Sequence, residues 1–287
     1  MASTAPRITR RAYAKINLGL RVTGKRPDGY HDISTVFHRI EPFDDVTLVG
    51  SEEITVRTTD PDVPPGESNI CHAAAVMVRE KLGGEGGVRI DITKRIPVGA
   101  GLGGGSADAA AVLLSLPLLW GKTLPGAVLS ELALRLGSDV PYFLGDGTAT
   151  GGGRGELLEY FHLDLPFAVL LCAPPLQVQT RWAYAQIVPR PLEGEDLRSL
   201  LLRGLEDPAA LRSGLVNDFE TPVFREHPVI RSVKESMIRA GAVFASLSGS
   251  GSSVYGFFGD AHGAGEASRA PEMRRCRTFI TPPHFRV

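Results

Sequence analysis

From Ala14 to Arg21 apolar and polar positions alternate: Ala14, Ile16, Leu18 and Leu20 fall on one side, with Lys15, Asn17, Gly19 and Arg21 between them. A period of two predicts a strand, and the following Lys25-Arg26-Pro27-Asp28-Gly29 carries the chemistry of a tight turn. Short strands are expected at Val46–Val49 and Ile54–Arg57. Between Asn69 and Leu82 the apolar residues Ile70, Ala73, Ala74, Met77, Val78 and Leu82 recur at helical spacing, and Gly83-Gly84 ends the run. Val88 to Ile92 alternates strictly again. A glycine cluster follows, and then Ala107 to Leu116, rich in alanine and leucine, predicts a helix up to Pro117.

A further helix is expected at Val128–Leu136, stopped by Gly137, and another at Ile230–Ala240. Phe167 to Cys172 is a continuous apolar run suited to a buried strand, and Val254–Phe258 reads as a strand. Gly151-Gly152-Gly153-Arg154-Gly155 is the best local candidate for a domain junction. No internal repeat or heptad array is visible. Strands first and helices interspersed suggest an α+β fold with two subdomains.

Composition changes this picture at two points. The chain has 287 residues, with 31 Lys and Arg against 32 Asp and Glu, a formal charge of −1. That balance argues against a nucleic-acid protein whose affinity rests on a positive surface. Glycine is in excess, 33 of 287 residues where about 20 would be usual. Cys71, Cys172 and Cys276 are far apart with no C-x-x-C pair, so neither a zinc site nor a disulfide framework is expected and the chain reads as reduced and intracellular. The most apolar uncharged run, Ala109 to Gly121, is 13 residues, short of the ~20 that span a bilayer. Met1 to Ala14 lacks the apolar stretch of a secretory signal and reads as a short cytoplasmic leader.

The glycine excess concentrates between Ile96 and Ser106, with five glycines in the seven positions Gly99 to Gly105. Without Cβ atoms, backbone amides can approach a ligand closely, and the helix that follows adds unpaired N–H groups and partial positive charge. The combination suits a phosphate, and a merely tight strand-to-helix turn would need fewer glycines. Ser106 either caps the helix or gives its hydroxyl to a phosphate oxygen. Gly99-x-Gly101-x-x-Gly104 satisfies the dinucleotide fingerprint literally, but no Asp or Glu occurs between Asp108 and Glu131 to hold a ribose. The P-loop pattern fails as well, for want of Gly-Lys-Ser/Thr.

Pro97-Val98-Gly99-Ala100-Gly101-Leu102-Gly103-Gly104-Gly105-Ser106-Ala107 resembles the phosphate loop of the superfamily of galactokinase, homoserine kinase, mevalonate kinase and phosphomevalonate kinase, the GHMP kinases. Ala14 to Leu20 resembles the first motif of that superfamily, and Ser246-Leu-Ser-Gly-Ser-Gly251 its third. Asp28-Gly-Tyr-His31 and Gly137-Ser-Asp-Val-Pro141 are similar to the branch that phosphorylates a hydroxyl of a cytidine diphosphate sugar-alcohol on the non-mevalonate route to isoprenoid precursors. The resemblance spans about Ala14 to Gly256. It implies an α+β, two-subdomain GHMP kinase fold with its active site in the cleft between the subdomains: residues 1–160 the ATP-binding part, residues 161–287 contributing to the substrate site.

The same resemblance implies roles. Asp139 is the base for the substrate hydroxyl and Lys15 sits beside it; an ammonium there keeps the carboxylate ionised and offsets charge on the transferring group. Asn17, two residues along the strand, would hydrogen-bond substrate or orient the pair. Tyr30 and His31 would recognise the cytidine base, Thr180 lies in the substrate site, and either Tyr184 or Trp182 would stack on the pyrimidine. Ser248, Gly249, Ser250 and Gly251 would close over substrate phosphate. Lys94 and Asn69 would serve the nucleotide, although a solvated lysine and a helix N-cap explain them equally well. ATP with Mg²⁺ is implied, the ion held chiefly by ATP with Ser106 a possible contributor and no dedicated metal site. Two other classes remain open on the residues alone: a nicotinamide-dependent oxidoreductase, and a nucleotide-binding protein without turnover. Homoserine and mevalonate kinases are the alternatives within the superfamily.

Overall fold

The computed structural model describes residues 6–84 and 86–287. The first five positions of the expected leader lie outside the described residues, and from Arg7 on it is part of a strand. Strand β1 begins at Arg7 and runs to Lys25 (Arg7–Lys25). Thr9 and Thr47 share a hydroxyl hydrogen bond at 2.9 Å, and the Pro6 carbonyl accepts from the Gly50 amide at 3.1 Å. The start of β1 thus carries polar side chains on both faces and is held by a partner strand.

The chain folds into two compact units, each assembled from separate stretches. The first takes the residues through Ala14, then Pro42–Val98 and Gly103–Asp146; the second takes Lys15–Glu41, Gly99–Leu102 and Gly147–Val287. The expected strand at Val46–Val49 is the end of a longer one, β2 (His31–Ser51), which like β1 passes from one unit into the other.

In the first unit, Asp45–Ser51 of β2 pairs antiparallel with β4 (Gly87–Thr93), and β3 (Thr55–Thr58) pairs parallel with the far edge of β4. Helix α1 (Ile70–Lys81) follows β3, α2 (Gly104–Leu119) follows β4, and α3 (Gly126–Leu136) comes next. Cys71, Ala74, Ala75 and Val78 form the buried stripe of α1. Helix α2 is buried nearly all round, as its unbroken run of alanine and leucine demands. It also runs through Pro117 to Leu119 rather than stopping before it. Proline in the last turn removes only one amide from the ladder, and the Trp120 amide still reaches the Leu116 carbonyl at 3.2 Å.

In the second unit, β5 (Thr148–Gly152) pairs antiparallel with Thr35–Phe37 of β2 and with β6 (Leu157–Phe161). The glycines at 151–155 are therefore the turn of a hairpin and not a junction between domains; Gly155 donates back to the Gly152 carbonyl at 2.9 Å. A second sheet, entirely antiparallel, has the order β10 (Arg277–Thr281), β7 (Ala168–Ala173), β9 (Val254–Phe258), β8 (Phe244–Leu247). Helices α4 (Thr180–Ala185), α5 (Leu197–Glu206), α6 (Pro208–Gly214), α7 (Glu220–Glu226), α8 (Pro228–Arg239) and α9 (Ala261–Ser268) complete the unit. Ile230, Val233 and Met237 of α8 and Ala264 and Ala267 of α9 join Ala168, Leu170, Val254 and Phe258 of the sheet in one core. The fold is α+β.

Candidate active site

Strand β1 delivers Lys15 and Asn17 to the same side of the second unit, because residues two apart on a strand share a face. Lys15 is only 3% exposed and Asn17 1%, so the lysine is not a solvated strand residue. A buried ammonium must find acceptors, and Lys15 Nζ donates to Asn17 Oδ1 at 2.6 Å while lying 5.3 Å from the centre of the Phe37 ring. Asn17 Nδ2 donates in turn to Thr35 Oγ1 at 2.9 Å, and the Tyr255 hydroxyl donates to the Asn17 carbonyl at 3.0 Å.

All three glycine motifs meet around this pair. The Lys15 amide donates to the Leu102 carbonyl at 3.0 Å, which ties β1 to the loop. Gly99 and Gly101 hold φ angles of +67° and +77°, left-handed values that cost other residues about 1–2 kcal/mol. Ser253 donates its amide to the Ala100 carbonyl at 3.1 Å, and Ser248 donates its hydroxyl to the Gly101 carbonyl at 3.0 Å. The Ser248–Gly251 segment is thus both the turn from β8 to β9 and the bracket of the glycine loop. The Ser248 hydroxyl and the Thr180 hydroxyl, which lies 3.1 Å from Ser250 Oγ, are both engaged within the protein.

Asn217 and Glu220 were not read from the sequence and hold this bracket. Asn217 Nδ2 donates to the carbonyls of Leu247 and Gly249, at 2.8 and 2.9 Å, and Glu220 Oε1 accepts from Ser246 Oγ and the Leu247 amide. The only local signal is a polar pair inside Asn217-Asp-Phe-Glu220, ahead of a short helix; nothing near it in sequence names its partners.

Rings gather elsewhere in the same unit. The turn after β1 closes with the Arg26 amide on the Tyr30 carbonyl at 2.9 Å and the Tyr30 amide on Asp28 Oδ1 at 3.0 Å. Tyr30 stands 52% exposed with the Arg154 guanidinium 4.4 Å above its ring. The His31 and Tyr184 rings stack, 5.0 Å between centres and 22° between planes, and Phe219 backs Tyr184 edge-on at 4.8 Å. Trp182 turns away instead, edge-on to His227. Partial burial, and then the charge of Lys25, lower the His31 pKa, so this imidazole is biased toward its neutral form.

In the first unit, α2 starts at Gly104 with Gly103 at its N-cap position in left-handed conformation (φ +68°). Ser106 is therefore inside the first turn and does not cap the helix. The first turn of a helix leaves amides without intrahelical partners, and here these belong to Gly104, Gly105 and Ser106, a set that suits an anion. Pro97 and Val98 lead into it, and Ala107 is buried behind it. Asp139 is half-buried in the turn after α3, where the Val140 amide returns to the Gly137 carbonyl at 3.2 Å.

The two nucleotide-side candidates have structural partners. Asn69 is the N-cap of α1: its Oδ1 accepts from the Cys71 amide at 2.9 Å and its Nδ2 donates to the Pro64 carbonyl at 2.8 Å. Lys94 is buried between two carboxylates, Asp44 and Asp108, rather than solvated. Asp44 Oδ1 also accepts from the backbone amides of Arg95 and Ile96, which pins the entry to the glycine loop. The Asp108 pKa rises to about 7; burial is the main cause, opposed by Lys94 and reinforced by Asp44. Among the described residues no group of three or more His, Cys, Asp or Glu could hold a metal ion, and no helix is long and apolar enough to cross a membrane.

Two family models match the chain: the GHMP kinases N terminal domain over residues 69–147 and the GHMP kinases C terminal domain over residues 197–272. A protein of Chlorobium chlorochromatii named 4-diphosphocytidyl-2-C-methyl-D-erythritol kinase is 43% identical over 281 residues, covering 96% of each chain. A crystal structure of 4-(cytidine 5'-diphospho)-2C-methyl-D-erythritol kinase superposes with a TM-score of 0.79 at 34% identity, over 96% of this chain and 99% of the other. Homoserine kinase from Cytophaga hutchinsonii, at 21% identity and a TM-score of 0.74 over 99% and 96% of the two chains, shares the fold. The sheets described above are not the doubly wound parallel sheet that serves dinucleotides, and the literal fingerprint in the glycine loop is a coincidence of composition. The chain belongs to the GHMP kinases, in the family of the 4-diphosphocytidyl-2-C-methyl-D-erythritol kinases.

Proposed function

We propose that this chain transfers the terminal phosphoryl group of ATP to the 2-hydroxyl of 4-diphosphocytidyl-2-C-methyl-D-erythritol, a step on the non-mevalonate route to isoprenoid precursors. The observation that carries this reading is the buried Lys15, held by Asn17 against a glycine loop that the third motif brackets. Phosphoryl transfer needs positioning and charge stabilisation more than covalent chemistry. The amides of Gly103–Ser106 and the first turn of α2 receive the triphosphate. Asp139 takes the proton of the attacking hydroxyl, and Lys15 offsets the charge that develops on the transferring group. Mg²⁺ bound with ATP would supply neutralisation of phosphate charge, and the Ser106 hydroxyl would help to hold it.

The stacked His31 and Tyr184, with Tyr30 at the turn, form a ring surface suited to a pyrimidine. Homoserine and mevalonate are small aliphatic alcohols and give such rings nothing planar to stack on, which favours the cytidine substrate over both. The family matches to 69–147 and 197–272 support reading residues 1–160 as the ATP-binding part and 161–287 as contributing to the substrate site, with Ser248–Gly251 over the substrate phosphate. The test is a panel of alcohols with terminally labelled ATP. Label should move to 4-diphosphocytidyl-2-C-methyl-D-erythritol at least a hundredfold faster than to homoserine or mevalonate. A folded protein that phosphorylates only one of the others would overturn the assignment.

A further inference from the structure

Thr35 belongs to none of the glycine motifs, yet it is 1% exposed and hydrogen-bonded on both sides. Its hydroxyl donates to the Gly19 carbonyl at 2.6 Å and accepts from Asn17 Nδ2 at 2.9 Å. A hydroxyl has one proton to give. With that proton committed to a carbonyl, which cannot donate, Thr35 Oγ1 can only accept from its other neighbour. The Asn17 carboxamide is thereby oriented: nitrogen to Thr35, oxygen to Lys15 Nζ at 2.6 Å. A flipped amide would set two donors against each other at Lys15 and leave its oxygen facing an oxygen at Thr35. The chain Lys15, Asn17, Thr35, Gly19 carbonyl runs in one direction only, and all of it lies within the second compact unit.

The surroundings leave this relay little freedom. The Tyr255 hydroxyl donates to the backbone carbonyl of Asn17 at 3.0 Å, and a Cβ on Gly249 would stand 3.3 Å from Asn17 Oδ1. Phe37, two residues beyond Thr35 on β2, lies under the Lys15 ammonium just as Thr35 lies beside Asn17, two residues beyond Lys15 on β1. Removing the Thr35 proton would free the amide to turn, and the ammonium would lose Asn17 Oδ1 as an acceptor.

We propose that Thr35 is a positioning residue for phosphoryl transfer: its one committed proton orients Asn17, which in turn fixes the Lys15 ammonium. This inference rests on the reading of Lys15 given above. Thr35→Val keeps the shape and removes the hydroxyl, and small misplacement of a reacting group costs on the order of a hundredfold in rate. The expected result is a 10- to 100-fold fall in kcat, by the same reasoning, with KM for ATP and for the alcohol substrate within roughly threefold of the parent. Thr35→Ser, which retains the proton, should restore kcat to within roughly threefold. Thr35→Ala gives the same readout should the valine variant fail to fold, as judged by its melting curve.

The relay is overturned if folded Thr35→Val or Thr35→Ala keeps parental kcat while Lys15→Ala loses turnover. It is equally overturned if Thr35→Ser loses as much as Thr35→Val, since the methyl and not the hydroxyl would then matter. Should Lys15→Ala itself turn over at the parental rate, the underlying reading of Lys15 fails, and the relay with it.

Discussion

Ser248 donates its hydroxyl to the carbonyl of Gly101 at 3.0 Å, and the Cβ that Gly101 lacks would stand 2.2 Å from the Ser248 carbonyl oxygen. Two motifs about 150 positions apart are thus in backbone contact through a missing side chain. Gly101→Ala meets both this collision and a φ of +77°. It should destabilise the protein by at least about 2 kcal/mol and lower turnover tenfold or more. Gly105→Ala is the control for the fold, because the nearest atom to its added methyl is 4.0 Å away. Urea denaturation of both variants is the check; equal losses would mean that the close approach does not constrain the loop.

Tyr184 and Trp182 are two residues apart, and only Tyr184 lies over His31. Stacking of a base on an aromatic ring is worth ~1–3 kcal/mol. Tyr184→Leu should therefore raise KM for the cytidine substrate about tenfold or more and leave KM for ATP within roughly twofold. Trp182→Phe should change neither. Steady-state kinetics with each substrate varied in turn decides it, and the reverse pattern would move the pyrimidine site to Trp182.

His38 is buried, with Nδ1 2.7 Å from the Thr148 hydroxyl, and burial lowers its pKa from 6.5 to about 4. The folded state binds this proton more weakly than the unfolded state. Stability is therefore full above pH 6.5 and falls as pH drops through the window toward 4. A shift of that size corresponds to roughly 3 kcal/mol. His38→Gln should be less stable at pH 7.5 but lose less between pH 6.5 and 4.5 than the parent. Unfolding free energies at four pH values test this; parallel curves for the two proteins would contradict it.

What could be read from the residues and what could not divide along physical lines. Alternation placed the strand around Lys15, the apolar stripe placed α1, and glycine excess marked the loop, because each signal is written within a dozen neighbouring positions. The full reach of β2 was hidden: His38, Arg39 and Thr35 are buried on it, so no simple alternation marks the strand between His31 and Pro42. Asp44 and Asp108 were invisible as partners of Lys94, since only strand register and helix packing bring them together. Asn217 and Glu220 reach their carbonyl and amide partners across roughly thirty positions, and Thr35 reaches Asn17 from the next strand. Ser106 was legible as a residue of the loop, but its place inside the first turn depended on Gly103 taking the left-handed N-cap conformation.

The chemistry proposed for Asp139 is open to one decisive rate. General base assistance is typically worth 10²–10⁴ in rate, and Asp139→Asn removes the base while keeping the size of the side chain. With ATP and 4-diphosphocytidyl-2-C-methyl-D-erythritol both saturating, single-turnover phosphoryl transfer in Asp139→Asn should be at least a hundredfold slower than in the parent, with both substrates still bound. Transfer within threefold of the parental rate would contradict the account.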